Sequence, residues 1–389
     1  MIDLTVPIRS FSIGALYLAL LASGCARRPA SPLPAERAGA SVTRYPPAGL
    51  DFSGIDAFWP VYEALLSDKE PTAGDLATLF ATPGYAALEE REHRRRSIES
   101  AMRFAFMRSR SGQRDSVAQR GGFTGRSVQH LSGIPLARDS IEAFRRALTG
   151  AGVVAGARRA VAAFLPPGLA DSVAPPPVAF VFFLDDGRGY PSLVVVDLLR
   201  VTRTGVDTGF FAHEFFHFYR RHFARTVRTA APQDAGIEEL LAYPAEEGVA
   251  DQLDKRRYVE ATDEQFAAIQ RAPGASGYAR EYRTAYEHAA DMMRFVSTTL
   301  EQALASPDSA TAIARAARDS LPDSGRALGA FMARTIDRVL GRPALIAAAS
   351  DTYGFWLAYD VAAAHADGGT PRLSTTAVSV IRRLDSEYR

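Results

Sequence analysis

The stretch His213-Glu214-Phe215-Phe216-His217 decides how the rest of this sequence is interpreted. It has the form H-E-x-x-H and lies in an apolar, aromatic segment whose pattern is typical of a helix. On a helix, residues four apart lie on one face, one turn apart, so His213 and His217 can bind one metal ion from the same side. Glu214 projects toward the same cleft, where its carboxylate can take a proton from a metal-activated water. These five residues predict a zinc hydrolase.

The length, composition and charge of the chain limit which classes of protein it can belong to. Its 389 residues suit one large domain or two modest ones, and 47% apolar residues can form a sizeable core. The formal net charge is only +1, so the chain as a whole lacks the basic character of a nucleic-acid-binding protein. We therefore expect no nucleic-acid partner.

The N-terminus has the features of a secretion signal. Arg9 is followed by an apolar run at 11–22, which is shorter than the about 20 residues that span a bilayer. The run ends in Leu21-Ala22-Ser23-Gly24-Cys25, which resembles a bacterial lipobox, and Cys25 is the only cysteine. The resemblance implies lipidation of Cys25, a lipid anchor in the bacterial cell envelope, and an outer-membrane location facing the periplasm. An ordinary signal peptide with an incidental cysteine is the alternative.

Composition also divides the chain into parts. We expect a lipoprotein signal peptide at 1–24, a tether rich in proline and alanine at 25–50, and a catalytic domain at 51–389. The predicted fold class is α+β, mostly α-helical, with a small antiparallel or mixed sheet packed next to the H-E-x-x-H helix. The domain is expected to have three parts: an N-terminal helical part (51–172), a sheet with the metal-site core (173–260), and a C-terminal helical part (261–389).

Local patterns give more detailed predictions. β-Branched and aromatic runs predict strands at 178–184 and 192–197, and the turn residues at 185–189 favour an antiparallel pair. One of these strands could lie at the sheet edge and bind an extended substrate. A single charged helix is expected over 89–107, and the glycine-rich segment 121–126 is expected to be a loop.

A catalytic zinc ion needs a third protein ligand. His222 lies about 140° from the ligand face of the helix, so we interpret it as structural. Glu247 and Asp251 are better candidates, because Pro244 suits the first turn of a new helix on which both carboxylates would share one face. Glu247 would complete the ligand set, and Asp251 could accept a hydrogen bond from a zinc histidine. The less favoured rivals are Glu246, Glu238 and Glu239.

This combination resembles the gluzincins, the thermolysin-like zinc metallopeptidases, which pair H-E-x-x-H with a glutamate on a later helix and often an aspartate four residues further on. The resemblance implies one zinc ion held by His213, His217 and Glu247. It also implies Glu214 as the general base, Asp251 as the hydrogen-bond partner of a ligand, and a peptide or protein as the substrate. Glu247 follows His217 by 30 residues, a longer interval than is usual in gluzincins.

The wider chain resembles bacterial families described as zinc-dependent peptidases whose members are uncharacterised. The shared features are the element Leu-Phe-x-Thr-Pro-Gly-Tyr, present here at 79–85, and a strand-rich segment before the metal helix. The resemblance covers residues 51–389.

Gluzincins stabilise the tetrahedral oxyanion with a tyrosine or histidine in addition to zinc. The candidates implied here lie together in one predicted helix and comprise Tyr282, Tyr286 and His288, with Tyr278 beside them. Each of these side chains can equally well serve packing alone.

Two other functions remain open from the sequence. The first is an envelope lipoprotein that binds polypeptide as a chaperone does, with a structural or non-proteolytic zinc site. The second is hydrolysis of a non-peptide amide or ester, which the same site permits. Bound zinc without cleavage of an unfolded protein would favour the first.

Overall fold

The computed structural model describes residues 49–149, 152–225, 228–272 and 277–389. The predicted signal peptide, Cys25 and nearly all of the predicted tether lie outside these ranges. Within them, none of the helices combines the length and the apolar character needed to cross a bilayer. The described residues from Gly49 onward belong to one compact unit; its predicted division into three parts stays a prediction.

Helices supply most of the structure. In chain order they are α1 (Ser53–Leu66), α2 (Ala73–Ala81), α3 (Pro83–Glu92), α4 (Arg95–Phe106), α5 (Ser111–Gln119), α6 (Gly122–Leu131), α7 (Ile134–Thr149), α8 (Val153–Ala162), α9 (Leu169–Ser172), α10 (Leu198–Thr204), α11 (Thr208–Arg220), α12 (Ala235–Asp254), α13 (Arg256–Glu260), α14 (Asp263–Arg271), α15 (Tyr278–Glu287), α16 (Ala289–Ala305), α17 (Ala310–Ser320), α18 (Arg326–Leu340), α19 (Arg342–Ala348), α20 (Thr352–His365) and α21 (Thr375–Tyr388), with 3-10 turns at Arg108–Arg110, Pro307–Ser309 and Pro322–Gly325.

The sheet is small and mixed. It consists of β1 (Leu50–Asp51), β2 (Val178–Val181), β3 (Gly187–Gly189) and β4 (Val194–Asp197), in the order β1-β2-β4-β3. Every residue of β2 and β4 is buried, as expected for central strands covered on both faces. The predicted fold class, mostly helical α+β with a small sheet beside the motif helix, is confirmed.

The predicted antiparallel pairing of the two strands is wrong. β2 and β4 are neighbours but run parallel, with Val178 opposite Val194. The chain leaves β2, crosses to the far side of β4 to form β3, and returns through a tight turn in which the Tyr190 amide donates to the Leu193 carbonyl at 2.9 Å. The segment expected to be only a turn therefore contains the edge strand β3, which pairs antiparallel with β4. The predicted strands themselves lie in the interior of the sheet.

Two further predictions in the N-terminal half, one of a helix and one of a loop, are also wrong. The expected helix over 89–107 is two helices, because His93 has a left-handed φ of 53° and ends α3. The expected loop at 121–126 begins α6. Gly125 is required there by packing, since a Cβ would lie 2.7 Å from the Val117 carbonyl oxygen of α5.

Helix α12 begins nine residues before Pro244, which lies inside it and not in its first turn. Close contact with α18 explains the small residues that follow. A Cβ on Gly248 would lie 2.3 Å from the backbone of Gly329, and a Cβ on Gly329 would lie 2.0 Å from the carbonyl oxygen of Pro244. The two helix backbones therefore touch, and this contact brings the first turn of α18, with Arg326, toward Glu247 on α12.

Candidate metal centre

Helix α11 presents the H-E-x-x-H residues. Its N-terminus is capped by Asp207, whose Oδ1 accepts from the Gly209 amide at 3.0 Å, and such a cap stabilises a helix by about 1 kcal/mol. The helix packs against α8, α12 and β3, which buries its aromatic residues. The i, i+4 spacing brings the two imidazoles together edge to face, and Nε2 of His213 lies 3.2 Å from Nε2 of His217.

Helix α12 brings the carboxylate of Glu247 to these two nitrogens. Its Oε2 lies 3.3 Å from His213 Nε2, and its Oε1 lies 3.3 Å from His217 Nε2. Donor atoms at such separations can share one ion at the 2.0–2.2 Å distances typical of zinc. The structure thus brings together the three residues that the sequence singled out as ligands, within 4.8 Å of one another.

The state of Glu247 fits a metal ligand. Its Oε2 is buried and has no hydrogen-bond partner among the described residues. The Nη2 of Arg326 lies only 2.9 Å away, but not in hydrogen-bonding geometry. A buried carboxylate oxygen without a donor is costly, and a cation bound to it would remove that cost. Two neutral imidazoles and one carboxylate are also the donor set of catalytic zinc in hydrolases.

Asp251 is the predicted hydrogen-bond partner of a zinc histidine, but the acceptor nearest to His213 is Asp254. Nδ1 of His213 lies 3.1 Å from Asp254 Oδ1 and 3.4 Å from Asp251 Oδ1. The carboxylate of Asp251 is instead bound by Arg326 and by the hydroxyl of Tyr282, which donates at 2.8 Å. The spacing from Glu247 places Asp254 on the same helix face at i+7, so this signal was present in the sequence.

His213, Asp251 and Asp254 form a second group that could hold a cation. Each of its carboxylates already has a positive partner, since Arg326 binds Asp251 and the Lys255 ammonium contacts Asp254. We therefore do not interpret this group as a second metal site. Its two aspartates instead hold in position the residues around His213, His217 and Glu247.

Burial sets the protonation of the motif residues. It raises the pKa of Glu214 to about 7 and lowers that of His217 to about 3. Burial also disfavours the charged form of His213, but the Asp254 carboxylate outweighs it and raises the pKa of this imidazole. The neutral ring of His217 has its lone pair free for a metal ion, and Glu214 can both accept and release a proton near neutral pH.

Strand β3 packs directly onto the motif helix. A Cβ on Gly187 would lie 2.8 Å from Glu214 Oε1, and a Cβ on Gly189 would lie 2.7 Å from both Glu214 O and the Cβ of His217. At Gly189 these neighbours are backbone and Cβ atoms that cannot move aside, so only glycine lets the strand approach this closely there. Both glycines lie in the segment expected to be a turn; their i, i+2 spacing was the signal for a strand face packed against another element.

A cleft of about 1030 Å³ opens over Glu214 and the three candidate ligands. Three of the four candidate oxyanion stabilisers, Tyr282, Tyr286 and His288, do not line it; Tyr278 does, and its hydroxyl donates to Asp323 Oδ2 at 3.0 Å. The hydroxyl of Tyr282 binds Asp251, the ring of Tyr286 packs on Phe331 at 5.5 Å, and Nδ1 of His288 binds the carbonyl of Thr284 at 2.8 Å.

Tyr243, which is not among the site residues predicted from the sequence, does line the cleft. It lies one turn before Glu247 on α12, and burial raises the pKa of its phenol. Its hydroxyl has no hydrogen-bond partner among the described residues, so it can donate to a molecule in the cleft. The signal was its i−4 spacing from Glu247, on the face that carries the ligand.

None of the rivals for the third ligand comes close enough to His213 and His217 to share an ion with them. Glu246 points to Arg220, whose Nη1 lies 2.9 Å from its Oε1, and Glu239 is paired with Arg315 and Arg318. Neither Glu238 nor Glu239 lines the cleft. The ring of His222 packs against Phe218 at 5.3 Å.

The chain belongs to a known protein family. Residues 76–368, well over half of the chain, match the model of the family described as "Putative zinc dependent peptidase (DUF5700)". This places the protein among zinc-dependent peptidases at the level of the family. No curated protein matches the chain, and no solved structure does.

Proposed function

We propose that this protein is a zinc-dependent peptidase in which His213, His217 and Glu247 hold one zinc ion and Glu214 is the general base. One observation carries the proposal: in an open cleft, the Nε2 atoms of His213 and His217 lie 3.2 Å apart, and each lies 3.3 Å from one carboxylate oxygen of Glu247. The family match and the resemblance to gluzincins support it.

The division of labour follows from the chemistry of the residues. Zinc at this site would lower the pKa of a coordinated water toward 7 and polarise a substrate carbonyl. Glu214, with a pKa of about 7 set by burial, accepts the proton of the attacking water and returns it to the leaving amine. Asp254 holds the His213 ring in orientation through Nδ1.

Tyr243 is our candidate for the donor to the developing oxyanion. Its phenol faces the cleft, and its raised pKa keeps it protonated at neutral pH. A donor aimed at the charge that develops in the transition state contributes about 3–4 kcal/mol in other enzymes.

An extended peptide can bind along β3, which is an edge strand. Alternate residues of an antiparallel strand turn their backbone groups toward the partner. The Asp186 carbonyl accepts from Asp197 of β4 and the Tyr190 amide donates to Leu193 just before β4, so the backbone groups of Gly187 and Gly189 face outward. The outward carbonyl of Gly187 accepts from Arg188 at 2.8 Å, and that of Gly189 accepts from Arg221 at 2.9 Å. A substrate strand would replace those two donors with its own backbone amides.

Two substitutions test the proposal. Glu214→Gln should abolish cleavage of an unfolded protein while one zinc ion per chain remains bound; retained turnover would exclude Glu214 as the base. Glu247→Ala should sharply lower zinc occupancy. The neighbouring Glu246→Ala is the matched control, because its side chain pairs with Arg220 and not with the ligands. Stoichiometric zinc in wild type without cleavage of any peptide would favour the polypeptide-binding alternative.

We also propose that lipidated Cys25 anchors the protein to the cell envelope, on the strength of the lipobox resemblance. Cys25→Ser should move the protein from the membrane to the soluble periplasmic fraction. An unchanged distribution would refute the anchor.

A further inference from the structure

Arg326 lies inside the cluster of proposed ligands, although no ligand role is expected of an arginine. Its Nη2 lies 3.1 Å from Nε2 of His213, in hydrogen-bonding geometry, and 2.9 Å from Oε2 of Glu247. These are two of the three atoms that would bind zinc. The residue is the first of α18, 79 positions after Glu247 in the chain.

Asp251 binds the guanidinium of Arg326 through several hydrogen bonds. Its Nε lies 3.0 Å from both carboxylate oxygens of Asp251, and its Nη2 donates to Oδ1 at 2.8 Å. Tyr282 holds the same carboxylate from the other side. Because α12 and α18 touch at Gly248 and Gly329, this anchor has a fixed position relative to Glu247.

The positive charge of Arg326 would stabilise the site when no metal ion is bound. The carboxylate of Asp251 and the Oε2 atom of Glu247 are buried, and uncompensated buried charges are strongly destabilising. Arginine stays charged at every accessible pH, so its guanidinium supplies part of the compensation that a metal ion would otherwise give.

The same contact opposes metal binding. In the neutral ring, with its proton on Nδ1 toward Asp254, Nε2 of His213 has a single lone pair, and an N–H of Arg326 points at it. That lone pair cannot serve the N–H and zinc together, and two cations on the same two atoms repel each other. The hydrogen bonds from Nε of Arg326 to Asp251 do not involve His213. They can persist when Nη2 moves away from His213.

We propose that Arg326 is a placeholder cation: it holds the ligands of the metal-free protein together, and zinc enters only as Nη2 is displaced from His213. This inference rests on the metal centre of the proposed function, but not on peptidase activity.

The test uses the full-length, metal-stripped protein and zinc alone. We would measure the zinc association rate by competition with a chromophoric chelator, and the melting temperature with and without zinc, in wild type and in Arg326→Gln. Arg220→Gln is the matched control, because Arg220 lines the same cleft but pairs with Glu246. It removes the same charge without touching His213 or Glu247.

Arg326→Gln should melt lower than wild type without zinc, and zinc should raise its melting temperature by about 5 °C more than it raises that of wild type. Zinc should also associate about tenfold faster than with Arg220→Gln. If zinc associates no faster with Arg326→Gln and stabilises it no more than the control, Arg326 is a structural residue and the proposal is overturned.

Arg326→Lys covers the case in which the glutamine variant does not fold. Lysine keeps the charge but has no fork to contact Asp251 and His213 together, so we expect changes in the same direction but smaller. Behaviour identical to wild type would overturn the proposal. Zinc binding that follows the prediction without any peptide cleavage would reject the proposed function and leave this inference standing.

Discussion

Asp254 Oδ1 lies 3.1 Å from Nδ1 of His213 and fixes the ring of the first candidate ligand. Both residues are almost fully buried, and Asp254 in turn contacts the ammonium of Lys255. Despite burial, the Lys255 ammonium and the hydrogen bond from His213 hold the pKa of Asp254 well below its usual range. An ionised Asp254 directs the His213 proton to Nδ1 and leaves Nε2 for the metal.

Replacing this carboxylate should weaken metal binding. Asp254→Asn should lower zinc affinity by about 10- to 100-fold, because partners of ligating histidines contribute that much in other zinc sites. Chelator competition at pH 7 would measure it. Lys255→Gln is the control, since it breaks the ion pair but leaves the bond to His213. Equal zinc affinities of the two variants would show that the ion pair, and not the orientation of His213, supports the metal.

Tyr243 should matter for turnover but not for zinc. If its phenol donates to the oxyanion, Tyr243→Phe should reduce kcat by about 10²- to 10³-fold with zinc occupancy unchanged. Steady-state cleavage kinetics and metal analysis would separate the two effects. The comparison variant is Tyr286→Phe, whose ring packs on Phe331 outside the cleft. A kcat for Tyr243→Phe within twofold of wild type would remove Tyr243 from the mechanism.

The close contact between α12 and α18 should be disrupted by any side chain added at its glycines. In Gly329→Ala the added Cβ would lie 2.0 Å from the carbonyl oxygen of Pro244, so the helices must separate. We expect a loss of about 1–3 kcal/mol in the free energy of unfolding and weaker zinc binding, because Glu247 lies beside this crossing. Urea denaturation would measure the stability. Gly112→Ala in α5, where a Cβ meets nothing within 4 Å, should lose none.

The ion pair between His130 and Asp197 should make stability depend on pH. His130 Nε2 lies 2.8 Å from Asp197 Oδ1 at the end of β4. Burial alone would lower the pKa of His130, but the Asp197 carboxylate outweighs burial and raises it. The pair therefore contributes fully below the unfolded-state pKa of about 6.5. Its contribution is lost as the pH rises through the higher folded-state pKa.

His130→Gln should accordingly cost about 1.5–3 kcal/mol at pH 5.5 and clearly less at pH 9. Urea unfolding of wild type and variant at the two pH values gives the comparison, with exposed His365→Gln as the reference. A destabilisation that is the same at both pH values would mean that the charge of His130 is not what stabilises this contact.

The parts of the site that the sequence predicted are those set by local geometry. The i, i+4 spacing on one helix brings His213 and His217 together, and the position of Glu247 on a later helix suggested the third donor. Asp254 and Tyr243 share the face of Glu247, so they could have been found by extending the same periodicity. Tyr282, Tyr286 and His288 could not be judged in this way, because their distance from the cleft depends on how α15 packs.

The sequence alone determined that the chain is mostly helical and that a short apolar sheet precedes the motif, and it predicted two imidazoles and a carboxylate as ligands of one metal ion. These features depend on residues close together in the chain, where helix and strand periodicity apply. Only the tertiary structure decided the parallel pairing of β2 and β4, the edge position of β3 against Glu214, and the entry of Arg326 among the ligands. Each of these depends on backbones that meet at glycines or across long loops, and no local pattern encodes which distant segment will fill that space.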